Sequence, residues 1–174
     1  AKPRALHLPA FEVSRGQQNL GNAEQSYCDR HDPHTIAELD APEVEGREAY
    51  DLRHRIVDAI GLKPGQSVAD VGAGTGLFIP LLAEKVGSEG VVYAVDISPR
   101  FIEHMEKKVA DAKLGQVKTV LSNERSVALP PRSVDVVFSS DAYHHFVYYQ
   151  DMLASISRAL KPGGQFIVVD FDIK

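Results

Sequence analysis

Two groups of residues in this 174-residue chain could carry chemistry. The first is Val68-Ala-Asp-Val-Gly-Ala-Gly-Thr-Gly76, followed twenty residues later by Asp96 at the end of the apolar run Val91-Val-Tyr-Ala-Val95. It reads as strand, glycine turn, helix, strand and carboxylate. A glycine turn lets backbone come close to a nucleotide-like ligand, and a carboxylate ending the next strand can accept both ribose hydroxyls. The second group is Asp141-Ala-Tyr-His-His145, at the end of a later apolar run. Its Asp141, Tyr143, His144 and His145 are candidate proton acceptors, because histidine titrates near neutral pH and can take the proton of a reacting nucleophile.

The glycine spacing decides between nucleosides. A dinucleotide fingerprint needs a third small residue five positions after the first glycine, and here that position is Leu77. Glycines instead fall at 72, 74 and 76, behind Asp70, whose charge repels a pyrophosphate but suits an ammonium group. The pattern favours S-adenosylmethionine over NAD. Through Asp70-Val-Gly-Ala-Gly-Thr-Gly76, Val95-Asp96 and Leu160-Lys-Pro-Gly-Gly164, in that order, the chain resembles the class I S-adenosylmethionine-dependent methyltransferases over roughly residues 50 to 172.

The resemblance implies that Asp70, Gly72, Ala73, Gly74 and Gly76 surround the methionine part of the cofactor. Asp96 would take the ribose hydroxyls, with Ile97 beside it. Physical chemistry agrees independently, since amides at a helix N-terminus receive a carboxylate and Asp70 favours an ammonium. In this family an acidic residue after the third strand usually meets the adenine, which here falls within Ser122-Asn-Glu-Arg-Ser126. Alignment from the strand gives Asn123 or Glu124, and alignment back from Leu129-Pro130 gives Arg125. Glu124 is the first choice and Asn123 the second, against a solvated loop charge. Asp141, ending the fourth strand, is counted with both cofactor and acceptor.

The elements that must position these groups follow from periodicity. Ala49, Leu52, Ile56 and Ile60 mark a helix from Gly46 to Ile60. Five apolar runs follow at 67–71, 91–95, 117–121, 134–139 and 166–171, interleaved with helical patterns at 75–86, 99–114 and 150–160, Pro80 falling in a first turn and Ser98 in an N-cap position. Such alternation predicts an α/β fold, a three-layer sandwich on a doubly wound, mainly parallel sheet ordered 3-2-1-4-5, whose ligand crevice opens at the strands' carboxyl ends. Residues 1–45, with Pro3, Pro9, Pro33 and Pro42, read as an N-terminal tail or as a lid over the cofactor, and a segment folded over the site would let Tyr27, Arg47 and Tyr50 reach it. Residues 46–174 form the core. The resemblance includes an antiparallel strand pair after the fifth strand, and a chain stopping at Lys174 is expected to lack it, leaving an edge on which a second chain could pair.

Composition bounds the partners. A net charge of −5, without a basic cluster beyond Lys107-Lys108, argues against nucleic acid and for a small-molecule substrate. Cys28 is the single cysteine, so neither an internal disulfide nor a four-cysteine zinc site is expected. No apolar run approaches the ~20 residues that span a bilayer, so a cytoplasmic protein without membrane attachment is expected. His31 and His34 have metal-ligand spacing but read as loop residues. Asp141, Asp170 and Asp172 could share Mg²⁺ as in catechol-type O-methyltransferases, but Phe171 stands where those enzymes place asparagine. No metal is therefore expected, with Mg²⁺ the lesser alternative.

The expected activity is methyl transfer from S-adenosylmethionine to a small molecule, releasing S-adenosylhomocysteine, with oxygen or nitrogen acceptors favoured over carbon. One bland reading of His144 and His145 has one bonding backbone and the other packing on Tyr148 or Tyr149. A catalytically inactive cofactor-binding module and an NAD-dependent oxidoreductase are the other classes the residues leave open.

Overall fold

The computed structural model describes residues 48–170. The elements run α1 (Glu48–Ile60), β1 (Ser67–Val71), α2 (Ile79–Val86), β2 (Val91–Asp96), α3 (Pro99–Asp111), β3 (Val117–Leu121), β4 (Val134–Ser140), a 3₁₀ turn (Tyr143–His145), α4 (Tyr149–Ala159) and β5 (Leu160–Val169). Their sheet is parallel throughout and ordered β3-β2-β1-β4-β5, as expected from the alternation of strands and helices.

Successive side chains of a strand point to opposite faces, and here the two faces are covered by different helices. Val68, Val92, Ala94 and Phe138 pack with Val57 of α1, Leu82 and Val86 of α2 and Met105 of α3. Ala69, Val71, Val95 and Val137 pack on the other face with Met152, Ile156 and Ala159 of α4. Each fully buried side chain of this size contributes about 1.5–3 kcal/mol. This alternation matters for the site. Asp70 lies two residues after Val68, and Asp96 two after Ala94, so both carboxylates face the α1–α3 side at the carboxyl ends of adjacent strands.

Local structure departs from the periodicity at several ends. The helix expected from residue 75 begins at Ile79, because Gly76 holds φ +75° and a turn closes through Gly76 N–H to Ala73 C=O at 2.8 Å. The third helix ends at Asp111 rather than 114, with Lys113 at φ +55°. Ser98 stands at the N-cap of α3 but caps nothing with its hydroxyl. The fifth strand starts early, since Leu160 pairs with Val134 before the ladder resumes at Val136 and Gln165. Lys161 Nζ and Ser67 N–H both donate to Asp135 Oδ2, at 2.8 Å each, tying β1, β4 and β5 together at this irregularity.

The expected 1–45 segment, with Tyr27, Cys28, His31 and His34, lies outside the described residues, as do Arg47, Phe171 and Asp172. Among the described residues no helix is long and apolar enough to cross a membrane.

Candidate functional site

The glycine turn is fastened to the neighbouring strand before it reaches α2. Gly72 and Ala73 N–H both donate to Val95 C=O, at 2.9 and 3.1 Å. Gly72 takes φ +79°, and a Cβ there would lie 2.4 Å from Ala142 Cβ, so glycine is required both by the backbone and by the β4 exit packed against it. Asp96, 6% exposed, completes the fastening: its Oδ2 accepts Gly74 N–H and its Oδ1 accepts Ser98 N–H, each at 2.9 Å.

Asp70 is the electrostatic anomaly. It is 2% exposed and its Oδ2 has no hydrogen-bond partner. Burial, and secondarily the charge of Asp96, push its carboxyl up to about 7. Burying an unpaired charge is costly, so the position favours a proton or an incoming cation.

At the strands' carboxyl ends lies a cleft open to solvent. Val71 and Gly72 line it from β1, Asp96 and Ile97 from β2, and Ser122, Asn123 and Glu124 from the segment after β3. Ala142, His145, Phe146, Val147 and Met152 form the opposite, more apolar wall. Ser139 Oγ donates to Val71 C=O at 2.9 Å and joins the two sides beneath it.

Of the residues expected at a site, Gly72, Asp96, Ile97, Asn123, Glu124 and His145 therefore share one cavity. Asp70, Ala73, Gly74 and Gly76 do not line it and lie within or just before the glycine turn. Asp141 and Tyr143 do not line it. Asp141 is exposed at φ +52° with its N–H on Val169 C=O, and the Tyr143 ring packs at 5.4 Å from Phe146 and 6.3 Å from Phe166. The 3₁₀ turn separates Tyr143 from His145, because it rotates consecutive residues to different sides. The side chain of His144 lies outside those described.

Arg125 also leaves the cavity. It ion-pairs with Asp151 and lies 3.5 Å from the centre of the Tyr148 ring, both at the start of α4. Tyr50 is likewise occupied by Arg53, 3.9 Å over its ring. Among the described residues no three His, Cys, Asp or Glu side chains gather as a metal site. Sequence reasoning missed Val71, Ser122, Ala142, Phe146, Val147 and Met152. Strand ends would have marked Val71, Ser122 and Ala142, whereas Met152 carries an ordinary core pattern on α4.

Residues 69–168, more than half of the chain, match a family described as "Methyltransferase domain". The chain belongs to the class I S-adenosylmethionine-dependent methyltransferases. A solved S-adenosylmethionine-dependent methyltransferase from Aquifex aeolicus is 30% identical, with a TM-score of 0.72 over 81% of this chain and 73% of that one. The demethylmenaquinone methyltransferase of Geobacillus kaustophilus is 30% identical over 127 residues, 73% of this chain and 54% of the relative. The aklanonic acid methyltransferase DauC of Streptomyces sp. (strain C5) is 31% identical over 107 residues, 62% and 47% of the two chains. This methyltransferase chain thus spans about half the length of the curated relatives it matches.

Proposed function

We propose that this domain binds S-adenosylmethionine between the glycine turn and the segment after β3, and transfers its methyl group to a small, largely apolar molecule. The observation that carries the reading is the pair of carboxylates on one sheet face: Asp96 lining the cavity, and Asp70 buried with an oxygen that no group in the described structure satisfies. An ammonium beside Asp70 would supply the missing partner, and ribose hydroxyls would donate to Asp96 at the cavity wall. Gly72, lacking a side chain, keeps the wall between them low. Glu124 and Asn123 face the same cavity and serve the adenine edge, with Ile97 against the ring. The residues fit the cofactor.

Bound there, S-adenosylmethionine supplies an electrophilic sulfonium methyl. The chain's contribution is to hold an acceptor in line with it, and positioning of this kind provides much of the acceleration in such transfers. Ala142, Phe146, Val147 and Met152 give the acceptor an apolar surface, and His145 lines the same cavity as a base for its proton. His144, Asp141 and Tyr143 rank behind it. Oxygen and nitrogen acceptors follow from a base at this place. A carbon acceptor joins them because a relative from Vibrio vulnificus, 31% identical over 116 residues, is named a ubiquinone/menaquinone biosynthesis C-methyltransferase. With a net charge of −5, nucleic acid is not proposed as an acceptor.

The test is calorimetric titration with S-adenosylhomocysteine, repeated with EDTA and with Mg²⁺, then a screen of phenolic, amine and quinol acceptors for S-adenosylhomocysteine release. Micromolar, metal-independent binding supports the reading. Absence of binding, or equal affinity for NADH, overturns it.

A further inference from the structure

We propose that Lys108 is a positioning residue for the methionine end of the cofactor, acting through the glycine turn from behind. The inference rests on the cofactor reading above. Lys108 belongs to α3, yet its Nζ donates to Thr75 C=O at 3.2 Å and to Gly76 C=O at 3.4 Å, 33 and 32 residues away in sequence. These are the last two peptide groups of the turn before the approach to α2. One helical turn earlier, Met105 is 1% exposed and lies directly under Gly76, where an added Cβ would come within 3.3 Å of Met105 Cγ. One face of α3 therefore supplies both an apolar floor and a cationic clamp to the same segment.

The clamp has a directional consequence. In a trans peptide the N–H points opposite to the C=O. Drawing the Gly76 carbonyl toward Lys108 turns the Leu77 N–H to the opposite side of the turn, away from α3. The Thr75 carbonyl, held the same way, orients the Gly76 N–H, which closes the turn on Ala73 C=O at 2.8 Å. A positive charge behind these peptides also polarises them, so that their donor side attracts an anion more strongly. The anionic part of the ligand is the methionine carboxylate. Its adenosine, by contrast, is assigned above to Asp96 and residues 122–124.

The placement of this lysine is specific. Lys107 beside it is exposed, whereas Lys108 is half-buried, with its stem bordering a small apolar recess formed by Ile79, Pro80, Met105, Val109 and Leu114. A lysine in a last helical turn also complements the helix dipole. That structural role would change stability, but it would not distinguish one ligand from another.

Two ligands separate the possibilities. S-Adenosylhomocysteine carries the amino-acid end and 5′-methylthioadenosine lacks it. Lys108→Met keeps the stem over the recess and removes the charge. It should weaken S-adenosylhomocysteine about tenfold, the loss of roughly one hydrogen bond to a charged group. Binding of 5′-methylthioadenosine should stay at the wild-type value, which also reports an intact fold. Lys108→Arg should retain most of the affinity, and Lys108→Gln carries the same test should the Met variant fail to fold. Wild-type affinity for both ligands in Lys108→Met, or equal losses for both, overturns the positioning role. If the wild-type chain binds neither ligand, the cofactor reading itself fails.

Discussion

Asp70→Asn isolates the buried carboxyl on which the site turns. Burial and the neighbouring Asp96 raise the Asp70 carboxyl from 3.8 to about 7 in the folded chain. At about 1.4 kcal/mol per unit, that displacement corresponds to roughly 4 kcal/mol. The sign follows from where the proton sits. Below about pH 4 both native and unfolded chains hold it, and Asp70 costs nothing. Between about 4 and 7 the unfolded chain ionises while the native chain keeps its proton, so stability falls as pH rises. Above about 7 both are ionised and the full cost is present.

Asparagine has the same shape and no titration. Whatever constant offset its amide introduces, the pH-dependent difference between variant and wild type belongs to Asp70. Urea unfolding from pH 4 to 8.5 should show the variant gaining on the wild type by roughly 4 kcal/mol across the window and then levelling. A flat difference, or a wild type that gains on the variant as pH rises, would mean that Asp70 is ionised throughout, and the argument from its unpartnered oxygen would collapse. The ligand supplies the complementary arm. An ammonium beside Asp70 favours its ionised form, so S-adenosylhomocysteine bound at pH 6 should release about one proton. Titration heats in buffers of different ionisation enthalpy would count it, and Asp70→Asn should abolish the release while weakening the affinity.

Asp96→Ala should weaken S-adenosylhomocysteine by about 1.5–3 kcal/mol per charged hydrogen bond lost, read by calorimetry; unchanged affinity would remove Asp96 from the ribose. Gly72→Ala places a methyl 2.4 Å from Ala142 Cβ at φ +79°, and should cost about 1–3 kcal/mol in urea unfolding together with ligand binding. Arg125→Ala breaks an exposed tie between the segment after β3 and α4, so thermal stability should hardly move while the Kd for 5′-methylthioadenosine rises, the more so at low salt. His145→Ala should leave S-adenosylhomocysteine binding intact and slow turnover on a true acceptor; full rates in both His145→Ala and His144→Ala would end the base role.

The glycine turn and the place of Asp96 could be read from the chain because they are dictated by backbone. Glycines at 72, 74 and 76 all take positive φ, a conformation that few other residues adopt, and the Asp96 position follows from the length of one helix and one strand. Strand order was readable for a similar reason, since alternating apolar runs and amphipathic helices have few ways to be wound. Helix ends were less so. The start at Ile79 depends on how the turn closes on Ala73, an interaction between peptide groups that leaves no side-chain signature.

The segment after β4 behaves differently because there the direction of each side chain decides whether it reaches the cavity. Asp141, Tyr143 and His145 are near neighbours in sequence, and their chemistry grouped them. One 3₁₀ turn sends the Tyr143 ring toward Phe146 and Phe166 and brings His145 to the cavity. Similarly, the choice among Asn123, Glu124 and Arg125 could not be made from a register. It depends on Asp151 and Tyr148, 26 and 23 positions beyond Arg125, drawing the guanidinium onto α4 while Asn123 and Glu124 line the cavity. The same distinction bears on Lys108. As a lysine in an amphipathic helix it looks like a solvated charge, and its role follows from two carbonyls that no sequence pattern places beneath it. The glycines that bend the turn are legible in the sequence, and the lysine that holds its carbonyls stands where the sequence context looks ordinary.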